Sequence, residues 1–317
     1  MKAVNIGLIG AGTIGCGVYK VVTENSEIIE KRTGVKLNLT KIADIDINRQ
    51  RPVDIPKDLF TEDAYEIIND DSISIVIELI GGTTIAKQFV MDAIKNGKSV
   101  VTAHKARIAH HGDESFSEAE KNNVEVAFEA SVGGGIPIIK ANQQSYVANN
   151  ILSIHGIMNG TCNYILYKMT EEGSNFDDVL KQAQEEGYAE ADPAFDIDGV
   201  DAAHKLSILI LLSYGIFLDF DDIHVEGIRD ITQTDIKYAD QLGYKIKLLG
   251  IAKSNEKGLL AGVYPSLVKK QTQLADVNEA FNAIYVVGDA VGPTMLYGKG
   301  AGMLPTASAV VGDIVDI

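Results

Sequence analysis

The chain has 317 residues, enough for two domains with a sizeable core, and 46% of its residues are hydrophobic. Its 44 acidic and 28 basic residues give a formal net charge of −16, which argues against nucleic acid or an anionic membrane as a partner. Two cysteines cannot build a disulfide framework, and no apolar run reaches the ~20 residues of a transmembrane helix. Because Met1-Lys2-Ala3 leads directly into a predicted strand, no signal peptide is expected, and we predict a cytoplasmic protein.

The first 130 residues alternate predicted strands and helices. Strands are predicted at 4–9, 37–43, 75–80, 99–102 and 124–128, with helices at 17–31, 64–69, 86–96 and 114–122. Strands separated by helices of this length are typical of a parallel sheet with right-handed crossovers. The sequence therefore predicts an α/β fold with a Rossmann-type dinucleotide-binding domain over residues 1–136. Ligands of such sheets bind at the carboxyl ends of the strands.

From about residue 137 the pattern changes to strands that follow one another without helices between them. A strand is predicted at 151–158, helices at 161–170, 177–186 and 200–214, and further strands at 245–252, 259–268 and 283–287. This indicates an α+β domain over 137–299, with an antiparallel sheet faced by helices, for substrate binding, catalysis and dimerisation. A last helix is predicted at 306–317, and we expect residues 300–317 to pack back onto the first domain.

A glycine turn joins the first strand to the first helix, with the sequence Gly10-Ala11-Gly12-Thr13-Ile14-Gly15. Gly10 permits the tight turn, Gly12 lets the backbone approach a pyrophosphate, and Gly15 lets the helix pack on the strand. The N–H groups at the start of the helix, including those of Thr13 and Ile14, favour phosphate binding. A chance surface loop has the same spacing, but the strand before and the helix after it favour a dinucleotide site.

The end of the second strand bears on the choice between NAD and NADP. Asp44 stands where a carboxylate accepts hydrogen bonds from the adenosine ribose and repels a 2′-phosphate. Arg49 and Arg51 follow closely and offer the alternative of clamping that phosphate. Because Asp44 lies nearer the strand end, the sequence predicts that NAD is favoured and NADP accepted.

Two lysines and two carboxylates are candidates for the chemistry. Lys105 ends a strand at the carboxyl edge of the predicted sheet, where a cofactor is expected to bind. The alternative is that Lys105 is a solvated surface lysine. Asp201 and Lys205 lie four residues apart on one face of a helix that is apolar almost all round below them, which favours a buried pair over a surface one. The loop Gly187–Pro193 can hold a carboxylate against an ammonium group, or be an ordinary polar turn.

Two glycine-rich segments leave two interpretations each. Residues 129–137 offer Glu129 and several carbonyl oxygens, which suit a hard cation, although a flexible hinge fits as well. Residues 298–306 can approach a nucleotide closely or form only a turn before the last helix.

Cys162 raises a competing hypothesis. It lies at the start of a predicted helix, where the dipole favours a thiolate, so a thioester-forming aldehyde dehydrogenase is one possibility. No histidine stands in an obvious supporting position, and a small buried cysteine explains the residue more simply. No cluster of histidine, cysteine and aspartate has the spacing of a zinc site.

Together these motifs resemble those of the homoserine dehydrogenase family over essentially the whole chain. The resemblance is carried by residues 10–15, 102–106, 129–137, 159–165, 187–193, 199–206 and 300–306. It implies reversible NAD- or NADP-dependent reduction of L-aspartate 4-semialdehyde to L-homoserine, on the way to threonine, methionine and isoleucine. The small-molecule substrate is the main partner that it implies.

The resemblance also implies roles for single residues. Lys205 is expected to be the general acid–base, with Lys105 between cofactor and substrate. Glu190 and Asp201 are expected to hold the substrate, and Gly187 and Gly302 to contact the cofactor. A structural sodium ion is expected on Glu129 and the carbonyls of Val132, Gly134 and Ile136.

The sequence departs from the family pattern at His104, where asparagine is usual, and at Cys162, where threonine is usual. The second departure argues against a cysteine nucleophile. A non-catalytic dinucleotide-sensing module is a further alternative, which Lys205 and Glu190 at family positions disfavour. Apolar strands between residues 245 and 268 need a second covering surface, so we expect a homodimer.

Overall fold

The computed structural model describes the backbone of residues 2–82, 84–103, 105–218 and 220–317, and the side chains of 3–82, 84–103, 114–218 and 220–317. The chain divides into two units. The first unit consists of Met1–Gly135 with Gly302–Ile317, and the second unit of Ile136–Ala301.

The first unit is built on a parallel sheet. Its strands are β1 (Lys2–Ile9), β2 (Val35–Ala43), β3 (Phe60–Thr61), β4 (Ile75–Glu78), β5 (Ser99–Thr102) and β6 (Val126–Ala127), in the order β3-β2-β1-β4-β5-β6. Every pairing within it is parallel. The Rossmann-type sheet predicted from the sequence is therefore confirmed. The edge strand β3 was not predicted, because two residues are too few to show an apolar period.

The helices of the first unit are α1 (Thr13–Glu24), α2 (Ser26–Thr33), α3 (Tyr65–Ile68), α4 (Thr84–Lys95), α5 (Lys105–Asn122) and α12 (Met303–Asp316). The single helix predicted at 17–31 is two helices, because the backbone leaves the helical conformation at Asn25. The helix predicted at 114–122 begins earlier, at Lys105. The last helix, α12, starts three residues before its predicted beginning.

Apolar side chains cover both faces of the parallel sheet. On one face Ile6 and Leu8 of β1 belong to a buried cluster with Val18 of α1 and Val310 of α12. On the other face Ile9 belongs to a cluster with residues of α3 and α4. The alternation along β1 thus sends successive side chains to opposite layers, as a strand buried on both faces requires. The packing of α12 against α1 makes the end of the chain part of this unit.

The second unit contains a mixed sheet. Its strands are β7 (Ile151–Ile157), β8 (His224–Val225), β9 (Tyr244–Asn255), β10 (Gly258–Lys269), β11 (Phe281–Gly288) and β12 (Gly292–Lys299), in the order β12-β11-β7-β9-β10-β8. All pairings are antiparallel except that of β10 with the short β8. Neither β8 nor β12 was predicted. The remaining strands lie within a few residues of their predicted bounds.

The helices of the second unit are α6 (Ile138–Lys140), α7 (Gly160–Glu172), α8 (Phe176–Glu185), α9 (Ala194–Ile197), α10 (Val200–Tyr214) and α11 (Gln233–Gln241). Helix α10 has its predicted bounds, because Gly199 and Gly215 flank it in the left-handed conformation. The sequence analysis missed α11, although Thr232 and Asp235 form the capping box that marks its start. Within the described ranges, no helix is long and apolar enough to cross a membrane.

A buried lysine lies in the core of the second unit. The side chain of Lys247 on β9 is 2% exposed and donates to the carbonyl of Val277 at 2.5 Å and to Asn163 Oδ1 at 3.0 Å. Burial, with a smaller effect of nearby Lys245, lowers the pKa of Lys247 from 10.5 to about 7. The unfolded chain therefore binds more protons than the folded chain between these two pH values, and this lysine makes folding more favourable as the pH rises.

We predict that Lys247→Met removes part of the pH dependence of stability. In the wild type, this residue should add up to ~1.4 kcal/mol to the free energy of unfolding for each pH unit above pH 7. Urea unfolding at pH 7.5, 8.5 and 9.5 measures the slope for both proteins. Lys253→Met, an exposed lysine of the same strand, is the control and should keep the wild-type slope. Equal slopes for wild type and Lys247→Met would contradict the prediction.

Candidate active site

The glycine turn between β1 and α1 has the geometry of a phosphate-binding loop. Gly10 has a φ of +102°, and a Cβ there would lie 2.8 Å from the Leu79 backbone. A Cβ on Gly15 would lie 2.1 Å from the Gly10 carbonyl oxygen, so α1 can start this close to β1 only with glycine. Space opposite Gly12 is open, and none of the described side chains caps the first turn of α1, where Thr13 and Ile14 lie. The loop therefore presents its first-turn N–H groups to a ligand rather than to a side chain.

Asp44 ties the end of β2 to this turn. Its Oδ2 accepts the Ala11 N–H at 2.8 Å, and its Oδ1 accepts the Asp46 N–H at 3.0 Å. The guanidinium of Arg51 lies 3.4 Å from Oδ2 and over the ring of Phe60. Both oxygens of Asp44 thus hold the loop in place and keep lone pairs for a further donor.

The structure separates the two arginines that the sequence left as alternatives. Arg51 donates to a ring of four backbone carbonyls, those of Ala11, Asp46, Ile47 and Arg49. With Asp44 on its remaining side, this guanidinium is engaged by the protein and holds the loop that follows β2. Arg49, in contrast, is exposed. A 2′-phosphate therefore has Arg49, and not Arg51, as its available cation on this loop.

In the second unit Lys205 and Asp201 form the ion pair that their spacing predicts. Lys205 Nζ donates to Asp201 Oδ2 at 2.8 Å and to the carbonyl oxygen of Met158 at 2.7 Å. The side chains are only 12% and 4% exposed, so this is not a solvated surface pair. A lysine ammonium has three donors, and these two contacts fix two of them. Within the part of the chain that the structure describes, no acceptor takes the third donor.

Asn159 and Asp196 belong to the same cluster, and the sequence analysis gave neither of them a role. The Asn159 side chain donates to Asp201 Oδ2 at 2.9 Å and to Asp196 Oδ1 at 2.7 Å, and its own oxygen accepts the Cys162 N–H. It is the N-cap of α7, so it fixes both the helix start and the two carboxylates. Its position directly before Gly160 is a sequence signal for a helix cap. Nothing in the local sequence shows that its side-chain amide reaches residues some 40 positions later.

Cys162 lies beneath this cluster and is buried. Its thiol donates to the Asp196 carbonyl, and burial, with the charges of nearby aspartates, raises its pKa well above 9. These effects outweigh the helix N-terminus that favours a thiolate. The cysteine is therefore a packing residue, and the same negative surroundings suit a cationic ligand group.

The loop that follows α8 is anchored beside the cluster. Thr161 Oγ1 donates to the Tyr188 carbonyl at 2.7 Å, and the Tyr188 ring stacks on Tyr164 at 4.7 Å between centroids. Gly187 turns the chain with a φ of +79°. Glu190 is exposed on this loop, where its carbonyl accepts a bond from Gln184. The structure thus places Glu190 on an anchored loop but shows no contact of its carboxylate with Asp201 or Lys205 among the described residues.

The predicted cation ligands lie in the segment that follows β6. Glu129, Val132 and Gly134 are buried in the first unit, and the Glu129 N–H donates to Asp313 of α12 at 2.8 Å. Ile136 belongs to the second unit, and its carbonyl accepts the Ile138 N–H. Among the described side chains, no group of three or more histidines, cysteines or carboxylates could hold a metal ion. The predicted cation site, with one carboxylate and three backbone carbonyls, does not belong to this class of side-chain cluster.

The remaining predicted residues lie at helix starts of the first unit. Lys105 begins α5, but its side chain lies outside the described residues, as does the whole of His104. Gly302 precedes α12 with a φ of +117°. Its carbonyl accepts the Thr306 N–H, so it forms the tight entry to that helix.

Comparisons with known proteins agree with this arrangement. A family model described as homoserine dehydrogenase matches residues 137–315, and one described as its NAD binding domain matches residues 10–129. The homoserine dehydrogenase of Neisseria gonorrhoeae is 49% identical over 317 residues, which cover 100% of this chain and 73% of that protein.

Solved structures of the same family have the same fold. A homoserine dehydrogenase crystal structure from Thiobacillus denitrificans superposes with a TM-score of 0.93 at 47% identity, covering 100% of this chain and 73% of the other. A hyperthermophilic archaeal homoserine dehydrogenase in complex with NADPH has a TM-score of 0.83 at 28% identity, covering 99% of this chain and 97% of the other. The chain therefore belongs to the homoserine dehydrogenase family of NAD(P)-binding oxidoreductases.

Proposed function

We propose that this protein catalyses the reversible reduction of L-aspartate 4-semialdehyde to L-homoserine, in the cytoplasm and in the biosynthesis of threonine, methionine and isoleucine. The observation that carries the proposal is the largely buried side chain of Lys205, whose ammonium is held by Asp201 and the Met158 carbonyl and has no third acceptor among the described residues. The bound nicotinamide cofactor supplies the hydride in reduction and accepts it in oxidation. Lys205 donates a proton to the aldehyde oxygen, which becomes the hydroxyl of homoserine, and takes it back in the reverse direction.

Carboxylates next to Lys205 recognise the amino group of the substrate. Asn159 donates to both Asp201 and Asp196. The cluster therefore holds two carboxylates against the one ammonium of Lys205. A substrate ammonium balances that charge, and Glu190 on its anchored loop adds a third carboxylate for it. Lys105, Gly187 and Gly302 lie on segments that we propose contact the cofactor, with Lys105 between cofactor and substrate.

A structural sodium ion is part of the proposal. The buried Glu129 and the carbonyls of Val132, Gly134 and Ile136 are its ligands, and left-handed turns at Gly133 and Gly134 support this by redirecting successive carbonyls. Oxygen ligands of this kind suit a hard cation. Its role is structural, and no step of the reaction uses it.

NAD is the favoured cofactor in this proposal, with NADP accepted. Asp44 keeps lone pairs for the hydroxyls of the adenosine ribose, and Arg51, which lies beside it, is engaged by four carbonyls. The exposed Arg49 gives a 2′-phosphate one cation, which explains why NADP is not rejected.

A homodimer forms through one face of the mixed sheet. This face carries partly exposed apolar side chains from four neighbouring strands, together with the ring of His155: Ile251, Phe281, Tyr285, Val287, Met295 and Tyr297. Phe281 and Tyr297 stack on one another there at 5.1 Å. A second copy of the chain covers such a face with an identical one, as two-fold symmetry requires.

Lys205→Met should abolish turnover with homoserine while the protein still binds dinucleotide. Loss of a positioned acid–base lowers kcat by ~10² to 10⁴-fold. Steady-state kinetics and calorimetric titration with NAD+ measure the two effects. The control is Lys168→Met, which removes the lysine of a partly exposed pair with Glu172 at the same four-residue spacing on α7 and should leave both unchanged. Near-normal turnover by folded Lys205→Met would exclude the proposed role.

Asp44→Asn should shift cofactor preference towards NADP. We expect the ratio of kcat/KM for NAD+ over NADP+ to exceed one in the wild type and to fall at least ~5-fold in the variant, because the charge that repels a 2′-phosphate is gone. Asp46→Asn, an exposed aspartate of the same loop, is the matched control. A wild type that strongly prefers NADP+, or a ratio unaffected by Asp44→Asn, would contradict this assignment.

Tyr285→Lys should convert the homodimer to a monomer. Light scattering at micromolar concentration should give the mass of two 34.1 kDa chains for the wild type and of one for the variant. Leu267→Lys places the same charge on an exposed apolar residue of the opposite sheet face and should remain dimeric. A monomeric wild type would show that the exposed face is not an interface between copies.

A further inference from the structure

Tyr164 of α7 contacts the chain on both sides of a glycine turn in the second unit. The turn is at Gly187, which follows the end of α8 and has a φ of +79°. Before the turn, the Tyr164 hydroxyl donates to Glu186 Oε2 at 2.9 Å. After the turn, the Tyr164 ring stacks on that of Tyr188, with 4.7 Å between centroids and 28° between planes. One side chain thus fixes the residues on either side of the glycine.

Tyr164 can hold this turn because it is itself held in the protein. It is 3% exposed, whereas Tyr188 is 47% exposed, so the stack joins a buried ring to an exposed one. Aromatic rings at this separation attract each other beyond the burial of their area. Burial, and then the hydrogen bond with the Glu186 carboxylate, raise the pKa of the Tyr164 hydroxyl. The hydroxyl therefore stays protonated and remains a donor to Glu186.

The loop that follows this turn carries Glu190 and is tied to the start of α7. The carbonyl of Tyr188 accepts a hydrogen bond from Thr161 Oγ1 at 2.7 Å. Thr161 is two residues after Asn159, the N-cap of α7 whose side chain binds Asp201. Glu190 is two residues after Tyr188, and an extended chain spans at most ~7 Å over that interval. The anchored turn therefore keeps Glu190 close to the helix start that holds Asp201.

Glu190 depends on the loop for its position. Its side chain is exposed, so packing does not fix its carboxylate. A carboxylate on an unanchored loop would lose conformational entropy when it bound a ligand, and an anchored loop has lost most of that freedom already. Resting on the proposed function, in which Glu190 binds the amino group of the substrate, we propose that Tyr164 is a positioning residue that holds the Glu190 loop in its binding conformation.

This role concerns the binding of the substrate and not the chemical step. Lys205 and Asp201 lie on α10, and the contacts of Tyr164 with Glu186 and Tyr188 involve neither of them. Loss of an interaction that is equally strong with the bound substrate and in the transition state raises KM and leaves kcat unchanged. A Tyr164 variant should therefore bind homoserine more weakly and still turn it over at close to the wild-type kcat.

The test is a double-mutant cycle on the KM for L-homoserine, with Tyr164→Leu and Glu190→Gln. Each single variant should raise KM ~10-fold, because each removes the hydrogen bond of a carboxylate with the substrate ammonium. The double variant should also raise KM ~10-fold rather than ~100-fold, since Tyr164 acts through Glu190. In all three variants kcat should stay within about threefold of the wild type. Tyr188→Phe keeps the stacked ring and should have the wild-type KM.

Tyr238→Leu is the control, because it removes a 60% exposed tyrosine ring from α11 and should leave KM unchanged. If Tyr164→Leu does not fold, Tyr188→Ala removes the stack from its exposed side and takes its place in the cycle. An unchanged KM in that variant overturns the proposal, and so does a ~100-fold rise in the double variant, because independent effects multiply. If Glu190→Gln alone leaves KM unchanged, the failure lies in the role that the proposed function gives Glu190, and this inference fails with it.

Discussion

The position of one ammonium group determines what the second unit can do. Lys205 is held by Asp201, one helical turn before it, and by the carbonyl of Met158 at the end of β7. These contacts need α10 to be buried below the lysine and the chain to turn sharply between β7 and α7. The apolar residues of α10 meet the first need, and Asn159 meets the second by capping α7 while it also binds Asp201. The apolar packing of α10 therefore sets the geometry of a polar site.

A similar constraint orders the first unit. Because Gly10 and Gly15 have no Cβ, the glycine turn can pack closely on the backbone around it. Asp44 holds the same turn, since its carboxylate accepts the Ala11 N–H. Arg51 closes this arrangement by binding four carbonyls of the same region. The glycine turn and the end of β2 are thus parts of one hydrogen-bonded structure. A change at Asp44 is expected to alter both cofactor preference and the order of this loop.

Local patterns predicted the parts of the fold that depend on local constraints. The bounds of α10 followed from its apolar run between two glycines, and the Asp201–Lys205 pair from their four-residue spacing. The contacts of Asn159 with Asp196 and Asp201 were not predictable, because they join residues about 40 positions apart through the tertiary fold. Arg51 was ambiguous for the same reason: only the folded loop shows which carbonyls surround it.

The central claim is that Lys205 and its neighbours form a catalytic site and not only a dinucleotide-binding one. The most direct measurement is the absorbance of reduced nicotinamide on adding L-homoserine to the wild-type protein, with NAD+ and NADP+ in parallel and L-serine as the control substrate. We predict reduction of both cofactors with homoserine, faster with NAD+, and none with L-serine. A protein that binds dinucleotide tightly but reduces neither cofactor in the presence of homoserine would be a sensing module, and would contradict the account.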